Sequence, residues 1–125
     1  MRLLLIALLI VGCEPDFSLA VEAEPGGVLL GAWTHQGAML AVGGQLDGSG
    51  GLLVRADESG WCKDDAVADR PLWWIHGSGE RWFAVGERGL ILRGGDGIVD
   101  ESVETDLTFF GVWDAGDRVW AVGGT

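Results

Sequence analysis

Phe110-Gly-Val-Trp-Asp-Ala-Gly-Asp-Arg-Val-Trp-Ala-Val-Gly-Gly124 is an apolar run, a polar turn and a second apolar run closed by a glycine pair. The same pattern occurs twice upstream, as Leu30-Gly-Ala-Trp-Thr-His-Gln-Gly-Ala-Met-Leu-Ala-Val-Gly-Gly44 and Trp73-Trp-Ile-His-Gly-Ser-Gly-Glu-Arg-Trp-Phe-Ala-Val-Gly-Glu87. Aligned on Ala-Val-Gly at residues 41–43, 84–86 and 121–123, the copies form columns. Leu30, Trp73 and Phe110 are large and apolar; Ala32, Ile75 and Val112 are aliphatic. Trp33 and Trp113 share a column with His76, and Ala41, Ala84 and Ala121 stay small. Internal repetition constrains a fold more tightly than any single motif.

The first two copies continue alike, Gly51-Leu-Leu-Val-Arg55 matching Gly89-Leu-Ile-Leu-Arg93. The first copy has five extra residues before this point, around Gln45–Gly50, where an insertion belongs to a surface loop. One repeat is therefore four short apolar runs, A to D, separated by Gly/Asp turns, which is a strand signature. Apolar residues at both parities, as in Val119-Trp-Ala-Val122, predict strands buried on both faces. Four-stranded units of roughly 40 residues, covered on both faces, describe the blades of a β-propeller. The expected fold is all-β, with about two and a half antiparallel blades over residues 28–62, 72–99 and 108–125, the last incomplete. On this view the recurring Ala and Gly let blades converge toward an axis, and a Trp near the end of strand A fills the gap between blades.

Composition supports one domain with a modest core: 125 residues, 48% hydrophobic, with 22 Gly, 7 Trp and no Tyr. The net charge of −11 repels phosphate backbones, so nucleic acid is not an expected partner. Residues 1–12 form a separate segment. Arg2 precedes nine apolar residues, Leu3 to Val11, too short to span a bilayer and suited to a helical signal-peptide core. Ile10-Val-Gly-Cys13 resembles the lipobox of bacterial lipoproteins. That resemblance implies cleavage before Cys13, acylation of Cys13 and attachment to a membrane. Glu14 in place of Asp favours, by the same resemblance, the outer membrane, on its periplasmic or surface side. Residues 13–27 read as the lipidated Cys and an acidic tether; Phe17 and Leu19–Val21 would alternatively supply an edge strand. Cys62 then lacks a partner, being either buried as a small hydrophobe, the expectation beside Trp61, or free to react. Two Cys and two distant His form no metal-ligand spacing, and no cofactor is expected.

The pattern Gly-x-Trp, turn, Trp/Phe-Ala-Val-Gly, Gly-x-Leu-Leu-Arg, Asp-Gly, Trp resembles the Gly/Trp-rich propeller repeats of bacterial exported proteins. These are similar to the repeats of photosystem II assembly factors and of neuraminidase-type proteins. The resemblance covers residues 28–125 and concerns architecture, since propellers host many activities. The Asp-box of neuraminidase repeats is half present in Asp57-Glu-Ser-Gly-Trp61, and without Tyr the chain lacks the sialidase nucleophile. A closed ring needs more than this chain supplies. Truncation of a longer propeller, closure by assembly of a homo-oligomer, or another β fold are the alternatives, and an apolar strand edge is expected after Val122.

In a propeller the B–C and D–A loops would gather Asp47, Asp64, Asp65, Asp69, Glu87, Asp100, Glu101, Glu104 and Asp106 at one end. The other end would gather Asp57, Glu58, Glu80, Asp96, Asp114 and Asp117. These are solvated turns or, at the first end, a rim for a cation or basic partner. His35 and His76 have no nucleophile and acid in view, so no catalytic residue is expected. The Trp columns are expected in the core, with sugar stacking as the alternative. The function expected is a non-catalytic, lipid-anchored envelope scaffold binding a protein or other ligand. The alternatives are a sugar-binding oligomeric lectin and a fragment of a larger propeller hydrolase.

Overall fold

The structure, a computed structural model, describes residues 26–125; the expected signal peptide over residues 1–12, Cys13 and most of the expected tether over residues 13–27 lie outside the described residues. Ten strands run in chain order: β1 Gly27–His35, β2 Ala38–Gln45, β3 Gly51–Asp57, β4 Gly60–Ala68, β5 Leu72–Ser78, β6 Arg81–Gly86, β7 Ile91–Gly95, β8 Gly97–Asp100, β9 Thr108–Asp114 and β10 Val119–Gly124. They form three antiparallel sheets in the orders β1-β2-β3-β4, β5-β6-β7-β8 and β10-β9. Within each sheet every strand pairs with its sequence neighbour, so short connections suffice. Gln36 and Gly37 both have positive φ, 49° and 81°, the backbone of a two-residue hairpin turn that matches strand twist.

The repeat columns keep one register in all three leading hairpins. Ala32 faces Ala41, Ile75 faces Ala84 and Val112 faces Ala121. Trp33 faces Leu40, His76 faces Phe83 and Trp113 faces Trp120. The first strand of each hairpin carries one residue too many, passed over by the pairing: Leu30, Trp73 and Phe110. The large apolar column is thus a β-bulge, used three times.

The bulge reverses side-chain alternation on its strand. Leu72 and Ile75, an odd distance apart, therefore enter the same core cluster, as Phe109 and Val112 enter another. Apolar residues at both parities reflect this reversal as well as burial of both faces.

Opposite each bulge stands the Gly of Ala-Val-Gly. A Cβ on Gly43 would lie 1.8 Å from the Val28 carbonyl oxygen, on Gly86 2.1 Å from that of Pro71, and on Gly123 1.9 Å from that of Thr108. These glycines are dictated by close approach within their own sheet, which corrects the expectation that convergence of sheets on an axis requires them.

The sheets stack face to face in chain order, β5 on β1 and β2, then β9 on β5 and β6. Leu40, Val42 and Leu53 meet Leu72, Ile75, Trp82, Ala84 and Leu92 at the first junction. Phe83, Val85 and Ile91 meet Phe109 and Val112 at the second. Ala41, Leu52 and Val54 form a third cluster on the far face of the first sheet.

Replacing Gly86 by Ala is expected to destabilise the protein by about 3 kcal/mol, because backbone must move to admit the methyl group. Gly124→Ala, where a Cβ meets nothing within 4 Å, is expected to be near neutral. Urea unfolding of the two variants checks both.

Candidate interaction surface

The two junctions are closed by different chemistry. At the second, Asp114 at the end of β9 is buried, 3% exposed, and accepts two hydrogen bonds from Arg81 at the start of β6, Nε at 3.0 Å and Nη2 at 2.7 Å. Arg81 Nη2 also donates to the Gly116 carbonyl at 2.8 Å, and the Gly116 amide donates to Asp114 at 2.8 Å. Bidentate Arg–carboxylate pairs fix orientation as well as energy. The guanidinium hydrogen bonds hold the Asp114 carboxyl below its ordinary pKa, and the same pairing raises Arg81. His76 Nδ1 accepts the Asp114 amide at 3.0 Å while its ring stacks on Trp113, centroids 4.1 Å apart. His76 is thus committed to the junction. The bulge residues also meet here, Trp73 edge-on to Phe110 at 5.4 Å, and the Trp73 indole nitrogen is buried without an acceptor.

At the first junction the columns of Arg81 and Asp114 hold Ala38 and Gly77. The Trp33 indole takes the space instead: a Cβ on Gly77 would fall 2.6 Å from its Cζ2. Trp33 stacks on His35, and a cleft of about 270 Å³ remains between Trp33, His35, Gln36, Arg55, Glu80 and Trp82.

The third sheet repeats the columns but, among the described residues, no sheet covers its outer face. Trp120 and Val122 stand where Leu40 and Val42, and Phe83 and Val85, are buried, yet are 59% and 65% exposed. Trp113, in the column of Trp33, is 60% exposed. The outer edge of β10 also pairs with no described strand. The β10 face that carries Trp120 and Val122 is therefore apolar, in the columns that the first two sheets bury.

The acids fall largely in loops, with differences. Asp64 and Asp65 lie within β4. Asp114, expected in a solvated turn, is instead the buried partner of Arg81, because the chain beyond β9 folds its carboxylate back into the junction. Asp47, Asp57 and Asp100 accept hydrogen bonds from Ser49, Ser59 and Ser102, which close local turns and lower their pKa values. Arg70 pairs with Asp69 and donates to the Glu87 carbonyl, and Arg93 pairs with Glu101. The first end is therefore a mixed-charge rim. Among the described residues no group of three or more His, Cys, Asp or Glu side chains converges for a metal.

Two burial expectations are corrected. Cys62 is exposed, because β4 is an outer strand of its sheet. Trp61, Trp74, Trp113 and Trp120 are exposed where a core position was expected. Trp61 shares that outer strand, Trp113 at the end of β9 keeps one side of its ring against His76, and Trp120 lies on the face of the third sheet that no described sheet covers. Sequence reasoning missed the bulge and the Arg81–Asp114 clamp; the recurring Arg at 81 and 118 was the available signal. Comparison with known proteins finds no matching family model, no matching curated protein and no matching solved structure.

Asp114→Asn is expected to lower stability by about 2 kcal/mol at neutral pH, since the charged hydrogen bonds to Arg81 are lost. A depressed carboxyl pKa stabilises above the unfolded-state value and ceases to as pH falls through the folded-state value. The difference between wild type and variant should thus be full at pH 6 and shrink below about pH 4. Urea melts across that range measure it.

Proposed function

We propose that the chain is a non-catalytic, lipid-anchored scaffold of the bacterial envelope, built from β-propeller blades and working by binding. The observation that carries this reading is the repetition of one bulged hairpin, in one register, through three sheets stacked in order. Each of the first two sheets presents its Leu40/Phe83 face to the next sheet, and the third carries Trp120 in the same column. Repetition of this kind generates extended surfaces rather than a catalytic pocket. His76 is occupied in the junction and His35 stacks on Trp33, which leaves neither assembled with a nucleophile. The lipid anchor rests on the sequence at Cys13 and the apolar run before it. One acylated Cys carrying several chains holds a protein on a membrane without a spanning helix.

A second reading, a sugar-binding lectin, is favoured by the exposed indoles of Trp74, Trp113 and Trp120. It predicts saturable quenching of Trp fluorescence by a saccharide, which a scaffold for polypeptides does not.

Expressed from its own start codon in a Gram-negative host, the chain should incorporate an alkynyl fatty acid and sediment with outer membranes. Cys13→Ser should abolish both. Sedimentation of the variant with membranes, or labelling without Cys13, would refute the anchored reading.

A further inference from the structure

We infer that the cleft at the first junction is a binding site for a guanidinium group carried on a short alkyl stem. The site stands on the first two sheets alone, each with its full four strands, and goes beyond the scaffold reading, which assigns it no ligand.

Cross-strand register builds one side of the cleft. Trp33 faces Leu40, His35 faces Ala38 and Leu40 faces Arg55, so these side chains share one face of the first sheet. Glu80 and Trp82 close the cleft from the second sheet and leave about 270 Å³. Pockets for drug-sized ligands run from about 300 to 1,000 Å³, so this one suits a group the size of a long side chain.

The repeat itself shows what such a space holds. At the second junction the equivalent position is filled from within. Arg81 stands in the column of Ala38, and its guanidinium lies 5.4 Å from the centre of the Phe83 ring, in the column of Leu40. Ala38 removes the stem and the cation together.

The remaining walls suit the same cation. The Trp33 indole fills the space beside Gly77, the column of Asp114, and among aromatic rings an indole attracts cations best. Its ring lies parallel to that of His35, centroids 5.7 Å apart, and flat rings stack well with a planar guanidinium. Glu80 is exposed and, among the described residues, has neither an ion pair nor a side-chain hydrogen bond. Its carboxylate can accept two parallel hydrogen bonds from one guanidinium. Arg55 does not forbid a second cation, because Arg93 holds the same column at the second junction beside Arg81. Arg93 is paired with Glu101, and Arg55 has Asp57 within electrostatic reach on its own strand. A net charge of −11 draws cations to the chain as a whole. A neutral polyol would use the indole and leave the Glu80 charge unanswered.

The test titrates butylguanidinium into the full chain, with heat read by calorimetry and the indole N–H resonances of Trp33 and Trp82 by NMR. Saturable binding is expected at about millimolar concentration, with shifts confined to residues that line the cleft. Butylurea, neutral and of the same shape, should bind at least about tenfold more weakly, a control that leaves the protein unchanged. Glu80→Gln, at an exposed position, should weaken butylguanidinium about tenfold and leave butylurea unaffected. Ala38→Arg should fill the cleft as Arg81 fills its counterpart, abolishing binding while urea unfolding shows the fold retained. A blocked Gly-Arg-Gly peptide separates the two sources of the group. Binding as tight as that of butylguanidinium assigns the cleft to an Arg side chain of a partner, and weaker binding assigns it to a free small molecule. No saturable binding, equal binding of butylurea, indifference to Glu80→Gln, or shifts arising away from the cleft would overturn the proposal.

Discussion

The close approach of one carbonyl to one glycine at each bulge sets the geometry of all three sheets. The extra residue on the first strand of each hairpin pushes the backbone of Val28, Pro71 and Thr108 against the opposite strand, leaving no room for a side chain at Gly43, Gly86 or Gly123. The same extra residue reverses side-chain alternation along the strand. Residues before the bulge, such as Leu72 and Phe109, consequently face the same way as Ile75 and Val112 beyond it. A regular strand would send Leu72 to the opposite face, and the first junction would lose a fully buried Leu. The strand thereby presents a contiguous apolar face to the preceding sheet at both of its ends.

The junctions then show how one geometry accepts two chemistries. Ala38 and Gly77 leave room for the Trp33 indole at the first, while Arg81 and Asp114 bridge the second. The Trp33 contact is apolar and tolerant of pH. The Arg81–Asp114 pair is directional, fixing the position of β9 relative to β6 through two parallel hydrogen bonds and a third to the Gly116 carbonyl. Asp114 is buried while Arg81 remains part-exposed, so the carboxylate is the member whose desolvation the pairing must offset. The stack of His76 on Trp113 adds area on the same side, so the second junction is specified by polar and aromatic contacts together.

Much of this was legible in the sequence because turns and repeats are local signals. The three hairpins, their turns and the equivalence of Ala41, Ala84 and Ala121 follow from spacing alone. What spacing does not show is a residue left out of pairing: Leu30, Trp73 and Phe110 look like ordinary strand residues until the register is known. Likewise Asp114 has the neighbours of a turn acid, Ala115 and Gly116, and only its partner 33 positions upstream makes it a buried one. The exposure of Cys62 is of the same kind. Beside Trp61 it reads as core, but its strand is the outermost of its sheet, and sheet order is a global property.

The open face of the third sheet is best weighed against the faces that resemble it. Leu40 and Val42 in one sheet, and Phe83 and Val85 in the next, are buried to 7% exposure or less. Fully burying side chains of this size stabilises by roughly 1.5–3 kcal/mol each. Trp120 and Val122 occupy the same columns in the third sheet, so the repeat places on β10 the side chains that β2 and β6 bury. In the first two sheets these columns are what the following sheet packs against, so the apolar character of this face is the repeat's own junction chemistry rather than a separate surface feature.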